Sequence, residues 1–199
     1  MGVKSMFYEK IDSPKILVFA GPNGSGKSTT TKKIRPIGLY INADDLKKKY
    51  GFSDLQAAQT AEKLRSRLIE ESKNFTFETV LSTERNIKLL AHAKEKGYYI
   101  HVIFILTKSS AVNVKRVDAR VAKGGHPVPK DKIISRYKRS LQNISALTHI
   151  VDRLTIIDNT GDLPVCICEI IDGTAIVNES QYWTKKEIFN LIAGIDIPD

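Results

Sequence analysis

Cysteine is nearly absent from this chain: two in 199 residues, Cys166 and Cys168. A disulfide framework needs more cysteines, and a metal cage needs more ligands, so neither organises the fold. The pair sits at i and i+2 in a strand-like run, where both side chains are expected on one face, and reads as two free thiols in a reducing cytosol. Long apolar runs are also missing. No stretch approaches the roughly 18 residues of a membrane helix, so no span is expected. The first 13 residues are mixed, include Glu9 and Asp12, and lack an apolar core of signal-peptide length. A cytoplasmic protein is expected. Acidic residues are in deficit: 22 Asp and Glu against 31 Lys and Arg leave a charge of +9 and a pI near 9.5. That balance suits phosphate-rich partners without choosing between ATP, a nucleotide-sugar and nucleic acid. Much of it is lysine on expected helix faces such as Lys47-Lys48-Lys49, where solvation is explanation enough. With no stacked-aromatic motif and no continuous basic stripe, nucleic acid is the weaker partner, though it stays open. Repeats and low-complexity segments are lacking too, and 199 residues make about one domain.

What is present is Gly21-Pro22-Asn23-Gly24-Ser25-Gly26-Lys27-Ser28-Thr29, a match to G-x-x-x-x-G-K-[ST]. It follows the apolar run Lys15–Ala20 and opens a helical stretch from Ser28 to Ile34, so the strand-loop-helix context is right. Glycines let the backbone wrap a polyphosphate, and the loop amides point partial positive charge at it. Gly21, Asn23, Gly24, Ser25, Gly26, Lys27, Ser28 and Thr29 are the expected ATP contacts. Lys27 would reach the β- and γ-phosphates, and the Ser28 hydroxyl would ligate Mg2+.

Strand and helix then alternate, which predicts an α/β fold with a mainly parallel sheet between helical layers. Strands are expected at Lys15–Ala20, Leu39–Asn42, Phe75–Val80, Tyr98–Leu106 and Leu154–Asn159, the fourth being central because it is the most apolar. Helices are expected at Ala43–Tyr50, from Asp54 as cap to Lys73, and at Thr83–Lys96. Ser109–Lys123 and Pro129–Leu147 form a helical hairpin with a glycine and proline tip, a lid over about 109–147. After residue 164 come a β-hairpin, Val165–Ile171 and Thr174–Val177, and a helix, Lys185–Ile192. This piece, 165–199, is expected to append to the 1–164 domain and cover a sheet edge.

Ligands of an open parallel sheet lie at the carboxyl ends of its strands. Asp44 and Asp45 follow strand two, Glu78 and Thr79 end strand three, and Asp158 and Asn159 end strand five. Asp44 is the candidate base, orienting a hydroxyl in line with a γ-phosphate; Asp45 reads as a helix cap. Glu78 stands on an otherwise apolar strand, and a buried carboxylate needs a hydrogen bond or a cation; a substrate hydroxyl or a Mg2+-bound water would serve. Asn159 is expected beside the adenine ring. On the lid, Arg116 and Arg120 share one helix face, and Arg136 and Arg139 share one on the returning helix. Guanidiniums hinged on Gly124-Gly125 suit closure over phosphates and exclusion of water. His126, at the tip, is a candidate phosphate contact; His92, His101 and His149 have no assigned role.

The ordered set of the phosphate loop, Asn42-Ala43-Asp44, Phe77-Glu78-Thr79-Val80-Leu81-Ser82 and Arg120–Pro129 ending in Arg136-Tyr137 resembles the zeta-toxin family in its compact bacterial branch. The resemblance implies a P-loop kinase fold with ATP, Mg2+ and phosphorylation of the sugar 3′-hydroxyl of a UDP-N-acetyl-amino-sugar. It places the catalytic aspartate on Asp44, the phosphate-loop lysine on Lys27 and the sugar-contacting glutamate on Glu78, with Thr79 and Ser82 in the same substrate-binding motif. The first lid arginine falls on Arg116 or Arg120. Aligned on Pro129, the second falls on His126, so His126 or Arg136 supplies that charge. The glycine-threonine pair after the family glutamate is Thr79-Val80 here. An antitoxin protein enters as a candidate partner, and oligomeric state is unspecified. The alternatives are a kinase for another hydroxyl, such as a nucleoside or polynucleotide end, and a non-enzymatic, nucleotide-gated nucleic-acid-binding module. An ABC-type ATPase lacks its L-S-G-G-Q signature, and a GTPase lacks Asn-Lys-x-Asp.

Overall fold

Alternating apolar strands and amphipathic helices assemble into one seven-stranded sheet flanked by helices, in a computed structural model that describes residues 13–194. The amino-terminal stretch through Asp12, read above as carrying no leader, lies outside the described residues. The elements are β1 (Lys15–Ala20), α1 (Lys27–Thr31), β2 (Leu39–Ile41), α2 (Ala43–Tyr50), α3 (Asp54–Glu70), β3 (Phe75–Thr79), α4 (Glu84–Glu95) and β4 (Tyr99–Leu106). They continue with α5 (Ser110–Val121), α6 (Lys130–Gln142), α7 (Ile144–Thr148), β5 (Arg153–Asp158), β6 (Val165–Ile171), β7 (Thr174–Val177) and α8 (Lys185–Ala193).

The strand order is β2-β3-β1-β4-β5-β6-β7, so β4 is the middle strand, as its apolar run predicts. The first five strands in that order run parallel, with Val18 paired to Phe77 on one side and Val102 on the other. Both faces are covered. Val18, Phe77, Ile100, Val102, Phe104 and Ile156 belong to the main core; Leu17, Phe19, Ile103 and Ile105 face a smaller one closed by Ile34 and Ile37. Each such side chain adds about 1.5–3 kcal/mol by leaving water. That rigid floor brings the carboxyl ends of β1, β2, β3 and β5 to one edge.

One detail bears out expectation and three differ. Strands β6 and β7 are antiparallel and extend the five-stranded sheet to seven, so the hairpin covers the β5 edge by pairing with it. Helix α3 is capped by Ser53, whose hydroxyl accepts from Gln56 N while Gln56 Oε1 accepts from Ser53 N, leaving Asp54 as the first helical residue. The second lid helix breaks at Asn143, whose Nδ2 donates to Leu81 O at 2.8 Å. Cys166 is exposed and Cys168 buried, because the β5–β6 register shifts between Ile156 and Ile157 and alternation is lost; both thiols are free. The lid helices α5 and α6 carry a core of their own, Val114, Val117 and Ile133. Among the described residues, no helix is long and apolar enough to cross a membrane.

Candidate active site

Strand β1 ends in the phosphate loop, and packing explains its glycines. Gly21 leaves the strand at φ 139, donates to Thr79 O at 3.2 Å, and has Ile105 O 2.0 Å from where a Cβ would stand. Gly24 adopts φ 80, and its Cβ would stand 2.5 Å from Asn113 O. Both obstacles are backbone atoms of neighbouring elements and cannot swing aside. Ser25 Oγ is buried in this loop with no hydrogen-bond partner, and no side chain caps the start of α1. An orphaned hydroxyl in a cradle of backbone too tight for side chains fits a polyphosphate.

Lys27 turns back over the loop, its Nζ donating to Gly21 O at 2.7 Å and Pro22 O at 3.0 Å. Burial draws its ammonium down to about 8, against the upward pull of Glu78, with Arg120 pressing down and Asp44 pulling up. One electrostatic neighbourhood thus gathers Lys27, Glu78, Arg120 and Asp44 from four different elements.

The Glu78 carboxylate stands opposite Ser28. It accepts from Tyr40 OH at 2.6 Å, Thr31 Oγ1 at 2.8 Å and Ser28 Oγ at 3.4 Å, so hydroxyls of the chain itself offset its burial. Burial and the bond to Glu78 raise the Tyr40 hydroxyl, which stays a donor. The exposed Ser28 hydroxyl beside a carboxylate is the hard-oxygen environment Mg2+ prefers. Thr79 Oγ1 accepts from Leu81 N at 2.9 Å and Asn86 Nδ2 at 2.7 Å, and Ser82 offers its carbonyl to Arg139 Nε at 3.2 Å. These two shape the loop after β3, in which Leu81 has φ 55.

Asp44 follows β2 in the first turn of α2. Asn42 caps that helix, its Oδ1 accepting from Asp44 N at 2.9 Å, so neither Asp44 nor Asp45 is the cap. The Asp44 side chain is exposed and makes no hydrogen bond among the described residues.

The lid arginines part company. Arg116 donates to Asn159 O at 2.7 Å and Thr160 O at 3.1 Å, which commits it to the loop after β5. Arg120 is the one whose charge reaches Lys27, and its Nη2 donates to His126 O at 2.8 Å. Arg136 Nη1 approaches Asn23 Oδ1 at 3.4 Å. Exposed His126 adds a small pull on Asp54, which is held low chiefly by its bond to Lys47. Asn159 touches the loop directly, its Nδ2 donating to Ser25 O at 2.7 Å.

Sequence reasoning missed Asn113 and Tyr40. Asn113 is fully buried, donates to Asn23 O at 2.7 Å and accepts from Thr107 Oγ1, so both lid helices grip Asn23. Its place one helical turn before Arg116 was the available signal. The remaining histidines lie elsewhere. His92 pairs with Glu70, and His101, bonded to Thr155 Oγ1 at 3.0 Å, is drawn by burial to about 4 and stays neutral.

Comparison with known proteins agrees with this fold. The family model described as Zeta toxin matches residues 2–165. An uncharacterized protein of Haemophilus influenzae is 30% identical over 129 residues, 62% of this chain and 92% of that protein. Among solved structures, the AvrRxo1-ORF1:-ORF2 complex with ATP is similar at a TM-score of 0.71 and 16% identity over 91% of this chain. This chain spans 64% of that one, just under two thirds. The PezAT chromosomal toxin-antitoxin system of Streptococcus pneumoniae is similar at a TM-score of 0.50 and 17% identity, covering 92% of this chain and 85% of that one. At such identities the structural likeness establishes the fold.

Proposed function

The chain belongs to the zeta toxin family of ATP-dependent kinases, and from that premise we propose that it moves the γ-phosphoryl group of ATP to the sugar 3′-hydroxyl of a UDP-N-acetyl-amino-sugar. The observation that carries the reading is that Glu78 bonds Ser28, and the charges of Asp44 and Arg120 act on Lys27, at a loop holding an orphaned, buried Ser25 hydroxyl.

In this mechanism the loop amides and Ser25 hold the polyphosphate, and Lys27 leaves the Gly21 and Pro22 carbonyls for the β- and γ-oxygens. Phosphate oxygens favour its charged form, which reverses the effect of burial. The Ser28 hydroxyl, beside Glu78, would hold Mg2+, which would supply neutralising charge to the phosphates. Asp44 accepts the hydroxyl proton of the acceptor and aligns its oxygen for in-line attack. Glu78 fixes Ser28 from behind and presents its carboxylate to the acceptor sugar. Arg120 and Arg136 offset the charge of the migrating group, and the closed lid keeps water from taking it. Arg116 acts one step back, through the loop after β5.

An antitoxin protein is the proposed partner, supported by the PezAT relative being described as a toxin-antitoxin system and the AvrRxo1 relative as an ORF1:ORF2 assembly. A cytosolic setting is supported by the two free thiols and by the supply of ATP and nucleotide-sugar. Labelled ATP and Mg2+ incubated with nucleotide-sugars, nucleosides and oligonucleotides in parallel test the acceptor. Label on the amino-sugar is expected; label only on a nucleoside or an oligonucleotide end replaces that acceptor class.

A further inference from the structure

The family match ends at residue 165, yet the chain beyond it packs on the loop after β5, which itself bonds the phosphate loop. At the end of β5, the Asp158 carboxylate is 2% exposed. One oxygen accepts from Thr160 N at 3.0 Å and from Thr160 Oγ1, which folds the loop after the strand into a tight local turn. The other accepts from Ser180 Oγ at 2.7 Å. Ser180 is itself held, its oxygen accepting from Tyr182 N and Trp183 N, both at 3.1 Å. Fully buried Trp183 lies beneath Lys108, whose Nζ stands 4.6 Å from the ring centroid and pairs with Glu187 of α8. The Tyr182 ring packs on Gly161, leaving 3.3 Å between a ring carbon and the place of a Cβ.

Between these anchors lies Asn159, whose Nδ2 holds Ser25 O of the phosphate loop. The link from carboxy-terminal segment to polyphosphate cradle is therefore short: Ser180 to Asp158, its chain neighbour Asn159, and Ser25. Asp158 is too buried to exchange its partner for water, so loss of the Ser180 hydroxyl leaves a desolvated carboxylate oxygen unpaired. The turn must then shift, and Asn159 shifts with it.

We infer that Ser180 is a positioning residue for nucleotide binding, acting through Asp158 and Asn159 on the phosphate loop, and that the segment after β7 is part of the kinase site. This rests on the kinase reading above for the identity of the nucleotide. The role predicts an effect on affinity and KM for ATP with kcat nearly untouched, because no reacting atom is involved.

The test is titration of full-length wild type, Ser180→Ala, Ser180→Thr and Asn159→Ala with a fluorescent, non-hydrolysable ATP analogue and Mg2+, with thermal melting of each variant. Ser180→Ala is expected to weaken binding about tenfold, and Ser180→Thr, which keeps the hydroxyl, to stay within about threefold of wild type. In an Asn159→Ala background the Ser180→Ala effect should shrink to under about twofold. Ser180→Ala affinity within twofold of wild type, whatever its melting temperature, overturns the positioning role and leaves the kinase reading standing. A full tenfold effect that persists without Asn159 also overturns it. A wild-type protein that does not bind the analogue overturns both readings at once.

Discussion

The floor of the site and its roof are built differently. In the floor, Gly21, Ser25, Lys27 and Asn159 are held by backbone or packed against it, and the loop tolerates no added atoms at Gly21 or Gly24. On the acceptor side, Asp44, Arg120 and His126 are exposed, and Asp44 has no hydrogen-bond partner among the described residues. A floor whose backbone is preformed meets the charge of a ligand with little rearrangement beyond the swing of Lys27 off two carbonyls. Side chains left in solvent suit a step in which lid and acceptor arrive together. Binding and chemistry should therefore separate when the two sides are altered in turn.

Lys27→Ala strikes both and should have the largest effect, a loss of turnover of about 10³-fold or more with weakened nucleotide binding. Wild-type turnover in a steady-state assay would remove the loop from the mechanism. Asp44→Asn should cost about 10²–10³-fold in kcat while calorimetric ATP affinity stays within a few-fold, since the acid lies on the roof side. A large fall in affinity instead would merge the two regions. Gly24→Ala belongs to the floor alone: its Cβ meets Asn113 O, so ATP affinity should fall about 10–100-fold. Arg136→Ala should lower kcat/KM about tenfold with unchanged melting temperature, and a comparable loss in Arg116→Ala should come with a lower melting temperature, because Arg116 braces backbone.

The smallest effect is one of pH. Lys27 falls from 10.5 unfolded to about 8 folded, so the unfolded chain binds the extra proton between those values. Stability without ligand should then rise as pH climbs from about 8 to 10.5 and be lost again on the way down through 8. ATP affinity should move the opposite way, weakening above pH 8, because the ligand needs the ammonium. Denaturant unfolding and analogue titration across that range check both slopes, and Lys27→Met should flatten them.

What could be read from the chain beforehand was mostly what is local. β1 and α2 lie where expected because an apolar run and a stop at Gly51 are short-range signals, although Asn42, expected in the strand, turned out to be the cap. The phosphate loop was legible for the same reason, its spacing being a backbone requirement. The role of Arg116 was not, since helical spacing predicts which face an arginine occupies but not that the β5 loop lies within its reach. Nor was the partnering of Glu78, whose hydroxyl donors come from 38, 47 and 50 residues away in sequence. The differing burial of Cys166 and Cys168 depended on a register shift that no alternation pattern announces. Long-range contacts decided each of these.

The Asn42 cap has a consequence beyond the few tenths to 2 kcal/mol that such a bond contributes. It indexes α2, fixing which residue begins the first turn, and a start displaced by one position would rotate Asp44 about the helix axis by about 100°. That rotation would turn the acid away from Lys27 without altering its chemistry. Asn42 thus works as a detent for the Asp44 carboxylate, the base of the proposed mechanism: swapping it for another capping residue should keep the aim, while a residue without a side-chain acceptor should blur it, leaving the right parts out of phase.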